Sequence, residues 1–205
     1  MNAVALLALA SITLSQETTV GQVCMKPEDV KPIGVGALVP DVPVVTADGE
    51  TKSLRGVTNG VKTVLVFYRG GWCPFCTRHM AELGKIKNRL EDMDYQIVAI
   101  SPDKPSELMA TMEKNHVDYT LLSDSTASVI KAFGLAYKVD DATVETYRSD
   151  HQIDLERASG MRHHILPVPA LYLVGANGII KYAHWDPNYE SRLDGEAILR
   201  AAAAE

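Results

Sequence analysis

Three apolar runs of strand length alternate with segments of helical periodicity in the middle of the chain. The runs are Val61 to Tyr68, Tyr95 to Ser101 and the shorter "YTLLSD" from Tyr119 to Asp124. Between the first two, apolar side chains recur at helical spacing, at Met80, Leu83, Ile86, Leu90 and Met93. A continuous apolar run fits a strand buried on both faces, and the repeat fits one face of a helix. This alternation predicts an α/β fold whose central sheet is covered by helices on both faces.

Capping and turn residues predict the remaining elements. Pro105 opens a second helix, because a first helical turn does not need the N–H that proline lacks. Asp103 and Asp124 are expected to cap helices, and Gly134 closes the short helix "TASVIKAF". The segment "LDGEAILRAAAA" predicts a C-terminal helix.

Two turn signals predict β-hairpins. Asp48-Gly49 lies between β-prone stretches and predicts an N-terminal hairpin extension. The turn "GANG" separates "ALYLV" from "IIKYAHW" and predicts a closing hairpin. Residues 137–166 are polar and charged without a strong period, so they are predicted to form a partly helical insertion before that hairpin.

Residues 3–14 form an uncharged apolar segment at the start of the chain. The segment is shorter than the about 20 residues that span a bilayer, but it has the length of the apolar core of a secretory signal. We therefore expect a signal peptide over residues 1–15, a lead-in over residues 16–36 and one domain over residues 37–205. Export predicts a periplasmic or secreted protein; the alternative is an ordinary N-terminal helix on a cytoplasmic protein.

Charge and cysteine content argue against two classes of protein. The 205 residues include 20 Lys and Arg against 26 Asp and Glu, a formal charge of −6. No basic stripe stands out, so we expect no nucleic-acid partner. The chain has 3 cysteines, too few for a disulfide-stabilised scaffold, so each is interpreted separately.

Two of these cysteines lie in "VLVFYRGGWCPFCTRHMAEL", where a buried strand turns into a helix. Cys73 is predicted at the helix N-terminus, where free N–H groups and the helix dipole stabilise a thiolate. Pro74 suits the first helical turn. Cys76 follows one turn later, leaning towards the core and within reach of a disulfide with Cys73. An exposed attacking sulfur beside a shielded partner is the arrangement that thiol–disulfide exchange requires.

A zinc site is the main alternative for a C-x-x-C pair. Four ligands would need a second cysteine pair, and Cys24 is isolated in the sequence. His79 could add a third ligand, but a fourth would still be missing. Two unreactive core cysteines would not need the Gly-Gly-Trp segment before them. We therefore expect redox chemistry without a metal, and without an organic cofactor, because no glycine-rich phosphate loop is present.

The segment "YRGGWCPFC" resembles the active-site segment of the thioredoxin-like suprafamily, specifically the peroxiredoxin-like branch related to alkyl hydroperoxide reductase and thiol-specific antioxidant proteins. The segments "VAISPDKPSEL", "LLSDSTASVIKAFGLA" and "LPVPALYLVGANGIIKY" resemble strand–helix units and the closing hairpin of that branch. The resemblance implies a thioredoxin-like fold with a central mixed sheet. It implies reduction of peroxides or protein disulfides, with a thioredoxin-like reductant. It also implies that Pro169 is the proline, often cis, that precedes the closing hairpin.

Two positions differ from the pattern of that family. Peroxiredoxins carry a threonine three residues before the peroxide-attacking cysteine. That place holds Gly70 if Cys73 attacks, and Cys73 itself if Cys76 attacks. Both alignments stay open, and helix electrostatics favour Cys73. The arginine that the family has at the closing hairpin is missing, which leaves Arg69 and Arg162 as candidates for a cation.

The closing hairpin starts beside the active site and turns back, so its far end should return there. His184 is therefore expected near the cysteines, where it could assist proton transfer, and His163 and His164 could lie close too. Partly exposed loop histidines are the alternative. His79 is expected on the solvent side of its helix. Trp72 is expected to shield the thiolate and offer a docking surface, or simply to pack.

These residues support three hypotheses about function. The first is a thiol peroxidase that reduces peroxides through the C-x-x-C pair. The second is a thiol–disulfide oxidoreductase that acts on protein disulfides. The third is a non-enzymatic redox-sensing module, which would be oxidised without turnover. A cation and a hydroxyl that polarise a peroxide near the sulfur would separate the first two, and the oligomeric state is left open.

Overall fold

A computed structural model describes residues 21–205 of the chain. The predicted signal peptide, residues 1–15, lies outside the described residues. The strands are β1 (Pro43–Thr46), β2 (Thr51–Ser53), β3 (Lys62–Phe67), β4 (Tyr95–Ser101), β5 (Thr120–Ser123), β6 (Ala136–Lys138), β7 (Ile165–Pro167), β8 (Ala170–Val174) and β9 (Ile180–Trp185). The helices are α1 (Leu54–Thr58), α2 (Pro74–Glu91), α3 (Pro105–Asn115), α4 (Ser128–Ala132), α5 (Asp141–His151), α6 (Leu155–Ser159) and α7 (Gly195–Ala203), preceded by a 3₁₀ turn at Pro27–Asp29.

Seven of these strands form one mixed sheet in the order β2-β1-β5-β4-β3-β8-β9. The three apolar runs of the sequence are its parallel centre, since β4 pairs parallel with both β3 and β5. The two predicted hairpins are confirmed as the antiparallel pairs β1–β2 and β8–β9, which lie at opposite edges. The predicted central mixed sheet is therefore confirmed.

Alternate side chains of β3 enter two separate apolar cores. Val64 and Val66 pack on the face that α2 and α7 cover. Leu65 and Phe67 pack on the opposite face, against α4 and the segment that leads into β1. A strand buried on both faces must be apolar at every position, which explains the continuous run in the sequence.

The predicted insertion is confirmed as helices α5 and α6 enclosed by a two-stranded ladder. β6 and β7 pair antiparallel and bring the two ends of the insertion together. Residues 21–36, predicted as a lead-in, lie against this ladder: the backbone of Cys24 bonds to Ala136 and Lys138 at 2.9 and 2.8 Å. This placement brings α5 to the carboxyl end of β3, where the cysteine segment begins.

Candidate active site

Two glycines carry the chain from β3 to the first cysteine. Gly70 has φ +151°, and a Cβ there would lie 2.2 Å from Nε1 of Trp72. A Cβ on Gly71 would lie 1.9 Å from Oγ1 of Thr111 in α3. Any side chain at either position would therefore push the loop away from α3 or displace Trp72, which explains why this turn carries two glycines.

Cys73 is the N-cap of α2, as the sequence predicts, and Pro74 is the first residue of that helix. The pKa of the Cys73 thiol falls to about 6. The hydrogen bond from the Cys76 thiol lowers it most, followed by the Cys76 backbone N–H and the charges of Arg69 and Arg192, while burial opposes them. At neutral pH Cys73 is therefore mainly a thiolate.

Both cysteine side chains are buried, and Cys73 has only 2% of its surface exposed, so the prediction of an exposed attacking sulfur is wrong. Cys76 differs from Cys73 in its ionisation. Its side chain is buried in the core between α2 and the sheet, with 1% of its surface exposed. Burial raises the pKa of the Cys76 thiol well above its ordinary value, and the neighbouring Cys73 raises it further. The two sulfurs are both free thiols and lie close enough to hydrogen bond. The pair thus combines one ionised sulfur with one protonated, shielded sulfur.

Arg69 places a buried positive charge beside Cys73. Its Nη2 donates a hydrogen bond to the Tyr147 hydroxyl at 2.5 Å. Its guanidinium carbon lies 4.2 Å from the centre of the Tyr189 ring, and the Trp72 ring also flanks it at 5.2 Å. Aromatic faces attract a cation without neutralising it, so this charge remains available to the thiolate. Arg162, the other candidate, is exposed.

A cavity of about 420 Å³ opens onto Cys73. Its walls are mostly aromatic and apolar, with one cation, and are formed by Arg69, Trp72, Pro74, Phe75, Tyr147, His151, Ile153 and Tyr189. Trp72 thus lies beside the sulfur, as expected for a shielding residue. A reactive group at Cys73 would meet an apolar chamber with a single buried charge, which strengthens electrostatic interactions inside it.

Asp103 corrects one of the sequence predictions. It does not cap α3, whose N-cap is Lys104. Instead its Oδ2 accepts a hydrogen bond from the Gly71 backbone N–H at 2.7 Å, so it holds the loop before Cys73. Burial raises the pKa of this carboxyl to about 7. Asp124 is not the N-cap of α4 either, since that position is Ala127, but its Oδ2 accepts a hydrogen bond from the Ile130 N–H in that helix.

The prediction that His79 faces solvent is wrong. The side chain is buried on α2 with 7% of its surface exposed, because it packs against the segment that follows β9. Burial lowers the pKa of His79 to about 4, and the charge of Arg192 adds to the effect. The ring is therefore neutral at physiological pH. The sequence showed which side of α2 carries His79, but it did not show that the segment after β9 covers that side.

The remaining histidines have different neighbours. His184 pairs with Leu171 in the closing hairpin and lies near enough to His79 to influence its pKa. The returning chain does reach the start of the hairpin, since the Asp186 N–H donates to the Pro169 carbonyl at 3.2 Å. His163 and His164 are bonded elsewhere, to the Ser125 carbonyl and to Glu156.

The peptide bond before Pro169 is trans, as are all other peptide bonds within residues 21–205. The cis form that the family resemblance suggested is therefore absent. Trans is the lower-energy state for most X–Pro bonds.

Three site residues were not singled out from the sequence: Tyr147, Tyr189 and Arg192. Tyr147 comes from the insertion, and the other two come from the segment after β9. Each lies more than 70 positions from the cysteine pair, so no local spacing connects it to the site. Only the pairing of β6 with β7, and of β8 with β9, brings these segments together.

Among residues 21–205 no three His, Cys, Asp or Glu side chains lie close enough together to hold a metal ion. Over the same part of the chain, no helix combines the length and apolar character that crossing a membrane requires.

Comparison with known proteins links this geometry to a family. Residues 35–183 match the AhpC/TSA family. Peroxiredoxin Bcp of Escherichia coli strain K12 is 28% identical over 137 residues, which cover 66% of this chain and 86% of that protein.

Solved structures show the same fold. The structure of peroxidoxin BcpB from Mycobacterium tuberculosis has a TM-score of 0.64 at 19% identity, covering 84% of this chain and 97% of that one. Reduced Prx3 from Vibrio vulnificus, in complex with H₂O₂, has a TM-score of 0.68 at 17% identity, covering 83% and 99%. The predicted thioredoxin-like fold is thereby confirmed.

Proposed function

The chain belongs to the AhpC/TSA family, and from this premise we propose that it reduces peroxides with Cys73 as the attacking thiolate and Cys76 as the resolving thiol. Its peroxiredoxin relatives make it an oxidoreductase, a thiol peroxidase. What the structure adds is the difference between the two sulfurs. The observation that carries the assignment is the position of Cys73 at the N-terminus of α2, beside a buried cation and open to a cavity.

The first step is a two-electron oxidation of sulfur. The Cys73 thiolate attacks one peroxide oxygen, the O–O bond breaks, and the other oxygen leaves as alkoxide or hydroxide that takes up a proton. The product is a sulfenic acid on Cys73 and one molecule of alcohol or water. The Arg69 charge stabilises the thiolate before attack and the negative charge that develops on the leaving oxygen.

The second step converts the sulfenic acid on Cys73 into a disulfide with Cys76. The Cys76 sulfur attacks the Cys73 sulfur, the S–O bond breaks, and water leaves with the proton of the Cys76 thiol. A disulfide results, and two electrons from a dithiol restore both thiols. We propose a thioredoxin-like protein as this dithiol. A coupled assay with thioredoxin, thioredoxin reductase and NADPH should show peroxide-dependent turnover; no turnover with any dithiol protein would argue for a redox sensor.

A reaction with protein disulfides is the second candidate function. In the alignment where Cys76 attacks the peroxide, Cys73 replaces the threonine of the family. The result is a C-x-x-C pair at a helix N-terminus, and this pair favours the second candidate. Both candidates use the same nucleophile, so the substrate decides between them.

Rapid mixing separates the two functions. Reduced protein is mixed with hydrogen peroxide, cumene hydroperoxide or a mixed-disulfide substrate, while Trp72 fluorescence is recorded and the cysteines are identified by mass spectrometry. A peroxide rate far above that of a free thiol supports the peroxidase. Slow reaction with both peroxides and fast exchange with the disulfide would replace it with the second candidate.

We propose export for the mature protein, on the basis of the apolar segment near the N-terminus. N-terminal sequencing of protein from its native host should find the start of the mature chain near Gln16. Intact Met1 in a cytosolic fraction would reject export.

A further inference from the structure

We propose that Arg192 is a catalytic residue of the second step: it holds Cys76 as a thiolate while that sulfur attacks the oxidised Cys73. Nη2 of Arg192 donates a hydrogen bond to Sγ of Cys76 at 3.3 Å. This inference rests on the proposed function, in which Cys76 resolves. Arg69 lies beside Cys73, whereas Arg192 bonds directly to Cys76 and acts on Cys73 only through its charge. Arg192 also lies beyond residue 183, where the family match ends.

The burial of Cys76 creates the need for such a cation. A thiol is a poor nucleophile, so the sulfur must lose its proton to attack. Burial disfavours the thiolate, and the Arg192 charge is the largest influence that favours it. A charge-assisted hydrogen bond is stronger than a neutral one, especially where water is excluded. Without this contact, Cys76 would remain shielded but unreactive at neutral pH.

The loop between β9 and α7 fixes the guanidinium in place. Nη1 of Arg192 donates to the carbonyls of Tyr189 and Ser191, both at 2.6 Å. None of the ion pairs within residues 21–205 includes Arg192, although Asp186 lies near enough for the Arg192 charge to lower its pKa. Through Tyr189 the same loop also covers Arg69. One segment therefore serves both sulfurs.

The groups that face this contact come from four elements. They are Arg78, His79 and Glu82 of α2 with its N-cap Cys73, Tyr68 after β3, His184 of β9, and Asp186, Glu190 and Asp194 of the loop. His79 is buried and its Nε2 has no hydrogen-bond partner within residues 21–205. Since its pKa is about 4, His79 adds no charge above pH 6, so the arginine dominates near neutrality.

The chemistry of the step balances without an added reactant. Cys76 gives up its proton and forms the S–S bond, while hydroxide leaves Cys73 and takes a proton to become water. The sulfenic sulfur is reduced and the Cys76 sulfur is oxidised. Arg192 neither gains nor loses a proton, because guanidinium stays charged; it lowers the energy of the thiolate.

Arg192→Gln tests the inference in a two-phase stopped-flow experiment with hydrogen peroxide. We expect a fast phase, oxidation of Cys73, that changes little, and a slow phase, disulfide formation, that is about tenfold slower at pH 7, the result of a one-unit rise in the pKa of Cys76. The defect should shrink only as the pH approaches the raised pKa of Cys76. Arg192→Lys keeps the charge, so its slow phase should have a rate between those of the wild type and Arg192→Gln. Arg200→Gln removes an exposed charge of α7 that does not face this contact and should leave both phases unchanged.

A thiol titration separates this inference from the proposed function, because it needs no peroxide. The absorbance of the Cys76 thiolate is followed in protein carrying Cys24→Ser and Cys73→Ser, with and without Arg192→Gln. Arg192→Gln should raise the midpoint by about one pH unit. An unchanged midpoint, or a slow phase that Arg192→Gln leaves at the wild-type rate, would overturn the role of Arg192. If the wild-type protein shows no fast phase with peroxide while Arg192→Gln still raises the titration midpoint, only the proposed peroxidase activity is overturned.

Discussion

Oδ2 of Asp103 accepts a hydrogen bond from the Gly71 backbone N–H at 2.7 Å, which ties the end of β4 to the loop that presents Cys73. The carboxyl group is almost fully buried, with 1% of its surface exposed. A buried carboxylate normally needs a cation, and this one has a backbone N–H instead. Burial without a cation raises the pKa of this carboxyl to about 7, so we expect the active-site loop to respond to pH near neutrality.

Asp103→Asn should change how stability depends on pH. The pKa of Asp103 is raised, so the folded state holds a proton that the unfolded state loses between pH 4 and pH 7. The free energy of unfolding therefore decreases as the pH rises through that window, and this group accounts for a decrease of roughly 4 kcal/mol. Urea unfolding from pH 4 to pH 8 should show that this part of the slope is missing in Asp103→Asn. Asp92→Asn, an exposed carboxyl at the end of α2, is the control. Parallel profiles for wild type and Asp103→Asn would contradict this account.

His79 should impose the opposite dependence. Its folded pKa is about 4, below the ordinary 6.5, so the unfolded state binds the proton first. The stability that neutral His79 provides is complete above pH 6.5 and is lost as pH falls to about 4, by roughly 3 kcal/mol. His79→Gln should remove this acid sensitivity in urea unfolding at pH 4.5 and pH 7. His116→Asn, an exposed histidine with φ +51° that asparagine tolerates, should retain it.

Asp103 and His79 show what the sequence could and could not predict. The strands, hairpins and α2 follow from apolar runs, turn residues and helical spacing, because these patterns are local. The burial of Asp103 and His79 depends on segments far along the chain, and their polar side chains suggested a cap and an exposed position. The same limit applies to Tyr147, Tyr189 and Arg192: their chemistry is ordinary, and only the tertiary contacts give it a role.

Tyr147→Phe tests whether the insertion supports the site. The Tyr147 hydroxyl accepts a hydrogen bond from Arg69, which is buried with 3% of its surface exposed. Leaving a buried charged donor without this partner should cost about 1–3 kcal/mol of unfolding free energy. Denaturant unfolding measures it. Tyr189→Phe keeps the aromatic face on Arg69 and should cost less; equal losses in both variants would show that the hydroxyl contact is unimportant.

Cys24→Ser should leave the first oxidation unchanged. Cys24 lies in the lead-in, where its backbone extends the β6–β7 ladder and its Sγ donates to the Asp29 carbonyl at 3.4 Å. The assignment of Cys76 as resolving thiol gives Cys24 no part in the cycle. Stopped-flow fluorescence and mass spectrometry should find the Cys73–Cys76 disulfide at the wild-type rate. A marked fall in that rate would instead identify Cys24 as a distant resolving thiol.

The most direct test of the account is where one equivalent of hydrogen peroxide reacts in the two single serine variants, read by dimedone trapping and mass spectrometry. Cys76→Ser keeps Cys73 at the helix N-terminus beside Arg69 and replaces the donating thiol by a hydroxyl, so it should react at close to the wild-type rate and carry the dimedone adduct on Cys73. Cys73→Ser leaves only a buried thiol with a raised pKa at the site, so it should be nearly inert. Rapid oxidation of Cys73→Ser, with the adduct on Cys76, would contradict the assignment and support the alignment in which Cys76 attacks the peroxide.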